Sequence, residues 1–111
     1  MDGLRYHLTL RLCAEDKRFG PGPMKLLQGV RETGSLQKAA ARMGMAYSKA
    51  WKLIGRLEAE WGFKLLTRQL GGVHGGGSEL TREGVDLLER YQKLLEETDH
   101  AANAAFQKYF P

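Results

Sequence analysis

Cysteine is nearly absent from the chain: Cys13 is the one thiol in 111 residues, so no internal disulfide can form. No apolar run approaches the length of a membrane span, and the N-terminus does not resemble a signal peptide, so a cytoplasmic protein without membrane contact is expected. Histidine is sparse and scattered. His7, His74 and His100 stand at no metal-ligand spacing with Cys13, and no nucleophile has an evident base beside it. The expectation is therefore no metal, no cofactor and no enzyme. A glycine-rich segment, 71–78, superficially suggests nucleotide binding, yet it lacks the Gly-Lys-Ser/Thr ending and leads into a strand rather than a helix. The length suits one domain with one function, and a net charge of +4 suits a polyanionic partner only if the charge is gathered in one place.

It is gathered. Ser35–Leu57 contains Lys38, Arg42, Lys49, Lys52 and Arg56 but no Asp or Glu, in a chain that has 13 of them. The stretch reads as a short helix, a turn at Gly44 and a longer helix over 46–58. Ser35 suits an N-cap, and Leu36, Ala39, Ala40 and Met43 form the inner side of the first helix. In the second, Ala46, Ala50, Leu53 and Leu57 make the apolar stripe. Ser48, Lys52 and Arg56 recur opposite, with Tyr47 and Lys49 beside them. Two helices joined by a glycine turn, with alanines at the crossing, predict a helix-turn-helix over 35–58, whose second helix enters the major groove with its N-terminal end foremost.

The remainder frames that motif. Leu4, Tyr6, Leu8, Leu10 and Leu12 alternate with Arg5, His7, Thr9, Arg11 and Cys13, which predicts a half-buried strand over 4–13. No second strand is read between Glu15 and Gly22, so its partner is expected in a distant hairpin or another subunit. Pro21 and Pro23 suit the first turn of a helix whose inner side is Met24, Leu27 and Val30, flanked by Leu26. After the Trp61–Gly62 break, a strand over Lys64–Leu70, the glycine loop and a return strand over Glu79–Thr81 predict a wing (64–81). Arg68 at its base and His74 at its tip, beside Gly75 and Gly76, can lie against a sugar-phosphate backbone. Thr81 and Glu83 start a long helix (82–108) with Leu87, Leu88, Tyr91, Leu94 and Leu95 inward and Ala101, Ala105 and Phe106 continuing the stripe. It outruns so small a domain, and a homodimer paired through it is expected.

GSLQKAAARMGMAYSKAWKLIGRLE, LLTRQLGG, HGGGSELTREG and LLERY together resemble the N-terminal DNA-binding domain of ModE-type molybdate-responsive regulators, and more distantly the winged helix of LysR-type regulators; the likeness runs from the first strand to about Tyr91. The resemblance implies a mostly α winged helix-turn-helix, a single domain (1–111) that binds an inverted repeat of double-stranded DNA as a dimer and controls molybdate or other oxyanion genes. It also implies that Ala46, Tyr47, Ser48, Lys49 and Lys52 face DNA. Full-length members carry C-terminal oxyanion-binding domains; these 111 residues end before one would begin, so no oxyanion is expected on this chain alone. Ser48 before Lys49, and Lys52, depart from the family pattern and point to a different preferred DNA sequence; Val73–His74 stands in the wing where relatives often have a Lys among the glycines, which weakens the electrostatic contribution expected of it. Ser48 and Lys49 are the expected base readers, and Ser35, Gln37, Lys38 and Arg56 the expected phosphate contacts. Trp51 is expected to serve packing. The rival functions are a protein-docking winged helix using Tyr47 and Trp51, and nonspecific architectural DNA binding.

Overall fold

A computed structural model describes residues 2–69 and 77–111, with only the backbone of Arg68 and Gln69. In chain order the elements are β1 (Leu12–Cys13), β2 (Arg18–Phe19), α1 (Pro21–Thr33), α2 (Leu36–Arg42), α3 (Tyr47–Trp61), β3 (Leu66–Gln69), β4 (Gly77–Leu80) and α4 (Arg82–Tyr109). This is the predicted mostly helical winged helix-turn-helix. Two antiparallel pairs, β1–β2 and β3–β4, make up its strands among the described residues. None of the described helices is long and apolar enough to cross a membrane.

Proline starts α1, where a missing N–H costs nothing, and Gly34 ends it. Its inner face, Leu26, Leu27 and Val30, is fully buried. Gly29 lies directly on α2: a Cβ there would stand 2.7 Å from Ala39 Cβ. Small residues on both sides therefore bring α1 and α2 close together. Ser35 caps α2 by accepting from Lys38 N at 3.1 Å. Gly44 turns the chain with φ of +64°, a conformation costly for residues with a Cβ, and Met45 N then donates to Ala40 O at 2.9 Å.

The inner side of α3 differs from the expected stripe. Ala50, Ile54 and Leu57 are fully buried, whereas Leu53 is half-buried and Ala46 exposed. Residue 54 is one turn from Ala50 and almost one turn from Leu57, so it lies between them on the helix. Leu53 sits at the edge. The helix also continues beyond 58 to Trp61, because Trp61 is an anchor rather than a break. Its indole N–H donates to Arg18 O at 3.1 Å, and its ring meets Phe19 edge-on.

The N-terminal segment requires a larger correction. Its alternation is real in burial, with Tyr6, Leu8, Leu10 and Leu12 inward and the intervening residues exposed, but Leu4 is 43% exposed and the ladder consists only of Leu12↔Phe19 and Cys13↔Arg18. The partner is local, across a turn closed by Ala14 N donating to Lys17 O at 2.8 Å. The rest of the segment lies along α4. Tyr91 Oη donates to Leu10 O at 2.8 Å, Tyr6 Oη donates to Asp99 Oδ1 at 2.9 Å, and the Tyr6 ring packs on Phe106. An extended chain against a helix buries alternate side chains just as a sheet does, so the period alone does not identify the partner.

Thr81 caps α4 as expected by accepting from Gly84 N at 2.9 Å. Leu87, Leu88 and Tyr91 are buried; Leu94, expected inward, is 42% exposed, and Leu95 is partly buried. At about 1.5 Å per residue the helix is about 42 Å long, in a molecule 55 Å in its longest dimension.

Candidate nucleic-acid interface

Helix α3 begins without help. Its N-cap, Ala46, has no side-chain hydrogen bond to the first turn, and no acid occupies that turn. The first N–H groups of a helix have no partner inside it, and they carry the positive end of its dipole. Around that end Ala46, Tyr47, Ser48 and Lys49 are exposed, with Lys52 one turn further and also exposed. Tyr47, 45% exposed, meets Trp51 edge-to-face at 6.0 Å, so its ring is braced while part of it faces solvent. Trp51 is half-buried against the core, consistent with the packing role expected of it.

Gln37 and Lys38, on the first turn of α2, are exposed as well, whereas the Ser35 hydroxyl is engaged as the cap. Arg42, one turn beyond Lys38, is engaged by α1. It forms a 2.6 Å ion pair with Glu32 of α1, and hydrogen bonds from Gln28 and then Arg42 hold the Glu32 carboxyl below its ordinary range. Arg56 is half-exposed and leans toward Glu60 at 3.4 Å. The predicted residues of α2 and of the α3 N-terminus are thus exposed, apart from the engaged Ser35, and Arg56 lies further along α3. Arg68 is in β3 opposite Ser78, with its side chain outside the described residues; His74, Gly75 and Gly76 lie outside them altogether.

Two residues that position the site are missing from the sequence reading. Glu58, the first acid after the basic run, accepts from Leu65 N at 2.7 Å and Leu66 N at 3.3 Å, tying the base of the wing to α3. Ser78 N donates to Gly34 O at 2.9 Å, tying β4 to the turn that precedes α2. A carboxylate one residue beyond Leu57, the first after the acid-free stretch Ser35–Leu57, was the available signal for Glu58. The Ser78 bond is made by backbone atoms and left none.

Residues 23–85 match the bacterial regulatory helix-turn-helix protein, lysR family. The chain is 34% identical over 91 residues to the transcriptional regulator ModE of Yersinia pestis, covering 82% of this chain and 33% of that protein. It is also 34% identical over 90 residues to the DNA-binding transcriptional dual regulator ModE of Escherichia coli (strain K12), covering 80% and 34% respectively. The chain thus spans about a third of the length of the curated relatives it matches. Among solved structures, the CbnR DBD–DNA complex superimposes with a TM-score of 0.61 at 28% identity, covering 78% of this chain and 93% of that one. With more than half its length inside the family match, the chain belongs to the lysR family of bacterial regulatory helix-turn-helix proteins.

Proposed function

We propose that this domain regulates transcription by binding duplex DNA sequence-specifically, with α3 in the major groove, and that it is not an enzyme. One observation carries the reading: the α3 N-terminus is uncapped, free of acids and ringed by exposed Tyr47, Ser48, Lys49 and Lys52. Ser48 and Lys49 read base edges. Gln37, Lys38 and Arg56 hold phosphates, together with the wing residues Arg68, His74, Gly75 and Gly76. Ser35 adds its hydroxyl only by bridging, since that oxygen already caps α2.

The dimer is part of the proposal. Leu94, Tyr109 and Phe110 are 42%, 69% and 47% exposed, and Ala101 and Ala105 are exposed between them, a face suited to a second copy of α4. Pairing would set two α3 helices about 34–36 Å apart, one per turn of an inverted repeat. The ModE names of the relatives make molybdate genes the first targets to examine. The test is selection from fragmented genomic DNA by the purified protein at near-physiological salt, then sequencing of what is retained. An enriched inverted repeat is expected; retention without a shared sequence refutes specificity, and no retention refutes DNA binding. Lys49→Glu with Lys52→Glu should abolish binding with the fold intact, and affinity should fall with log salt by a slope of about 0.9 per phosphate contacted.

A further inference from the structure

A cavity of about 370 Å³ lies beside the β1–β2 hairpin, at the start of α1. Arg11, Arg18 and Arg56 line it, and none of its lining residues is acidic among those described. The three come from separate parts of the chain: the edge of β1, β2 itself, and α3. Glu60, its side chain only 15% exposed, joins two of them. Its Oε2 lies 3.7 Å from Arg18 Nη2 and 3.4 Å from Arg56 Nε, while Oε1 accepts from Arg18 N at 3.1 Å. One carboxylate thus braces two guanidinium groups and leaves most of their donors unused, since each guanidinium carries five. Arg11 reaches the same cavity across Gly20, where a Cβ would stand 3.3 Å from Arg11 Cγ. The floor adds to the field. Helix α1 has no side-chain cap and no acid in its first turn, and Gly22 brings an N–H between two prolines that have none.

We infer that this cleft binds a phosphate group. Three forked cations at one cavity, against a single carboxylate that orients two of them, match the planar, bidentate way in which Arg holds tetrahedral oxyanions. Arg11 and Arg18 lie outside the family match, which begins at residue 23, whereas Arg56 lies within it. The phosphate comes either from free solution or from a DNA backbone beyond the groove. Only the second source rests on the DNA reading.

Cys13 also lines the cavity, is exposed, and is the only thiol in the chain, so it reports on this place alone. The experiment measures alkylation of Cys13 by iodoacetamide in inorganic phosphate and in chloride at matched ionic strength, for the wild type and for Arg11→Gln with Arg18→Gln. Both arginines are exposed, and circular dichroism checks the fold. Phosphate in the cleft should slow wild-type alkylation by about threefold or more, because a neighbouring anion disfavours the reactive thiolate. The ratio for the double variant should be near one.

A duplex arm separates the sources. If the backbone supplies the phosphate, DNA protects Cys13 and the double variant loses about two from the salt slope of DNA affinity. If free phosphate is the ligand, phosphate protects, DNA does not, and the slope is unchanged. Cys13 left unprotected by both phosphate and DNA, or equal protection in the double variant, overturns the proposal. A wild type that fails to bind any DNA refutes the DNA reading alone, because the phosphate arm is still decisive.

Discussion

Gly29→Ala sets two rules against each other. In an exposed helix interior the change should stabilise by about 1 kcal/mol, the difference in helix propensity between the two residues. Here the new methyl would lie 2.7 Å from Ala39 Cβ and 3.1 Å from Ala39 Cα, where carbon atoms prefer about 3.5–4.0 Å. Neither neighbour is the end of a flexible side chain, so α1 and α2 must separate by about 1 Å as units. Overpacking a core costs about 1–3 kcal/mol, and contact with two atoms fixed to a helix backbone belongs in the upper half of that range. Subtracting the propensity gain leaves a net loss of about 1–2 kcal/mol. For a domain of this size each kcal/mol shifts Tm by roughly 4–8 °C, so a fall of at least about 4 °C is expected by calorimetry at fixed protein concentration. Gly29→Ala combined with Ala39→Gly should recover much of the loss, a favourable coupling of about 1 kcal/mol or more. An unchanged or raised Tm in the single variant would refute the close crossing of α1 and α2 at Gly29 and Ala39.

Glu58→Ala removes a carboxylate that accepts from Leu65 N and Leu66 N, and bonds to charged groups are worth about 1.5–3 kcal/mol, so the urea midpoint should fall by the equivalent of about 2–3 kcal/mol. Burial holds the Tyr91 phenol above its ordinary value, with Arg11 opposing. Its contribution is therefore complete below about pH 10, the unfolded value, and is lost as pH rises through the higher folded value. Between pH 9 and 11 stability should fall more steeply in the wild type than in Tyr91→Phe, although that variant loses about 1 kcal/mol at neutral pH with its bond to Leu10 O; parallel curves would exclude Tyr91 as the cause. Tyr6→Ala removes the bond to Asp99 and the ring contact with Phe106, together about 1 kcal/mol, so amide exchange in 99–109 should quicken roughly fivefold while α1–α3 stay as protected as before.

The legible parts of this chain are those written in local rules. Ser35, Ala39, Ala40 and Gly44 announce a cap, a close crossing and a left-handed turn within ten residues, and α2, the turn and the start of α3 follow as expected. The exposed cationic end of α3 was equally legible, because a stretch without acids is visible without coordinates. What escaped depended on distant partners. Ile54 replaces Leu53 as the core residue because the elements around α3 fix which part of a broad apolar arc turns inward. The β1–β2 hairpin escaped because two residue pairs leave no periodic signal. The arginine cleft was invisible because Arg11, Arg18 and Arg56 meet only once α3 has folded against the hairpin.

The Tyr6–Asp99 bond joins residues 93 positions apart. During synthesis the arm that carries Tyr6 is made well before its docking surface on α4. Contacts of such separation form late, after the chain between them has closed on itself. The winged helix therefore assembles with a loose N-terminal arm, and the far half of α4 gains its brace only when Tyr6 and Asp99 meet. A bulky group fused ahead of Met1 would act at the opposite terminus of the sequence, loosening the last turns of α4 rather than the helix-turn-helix near the middle.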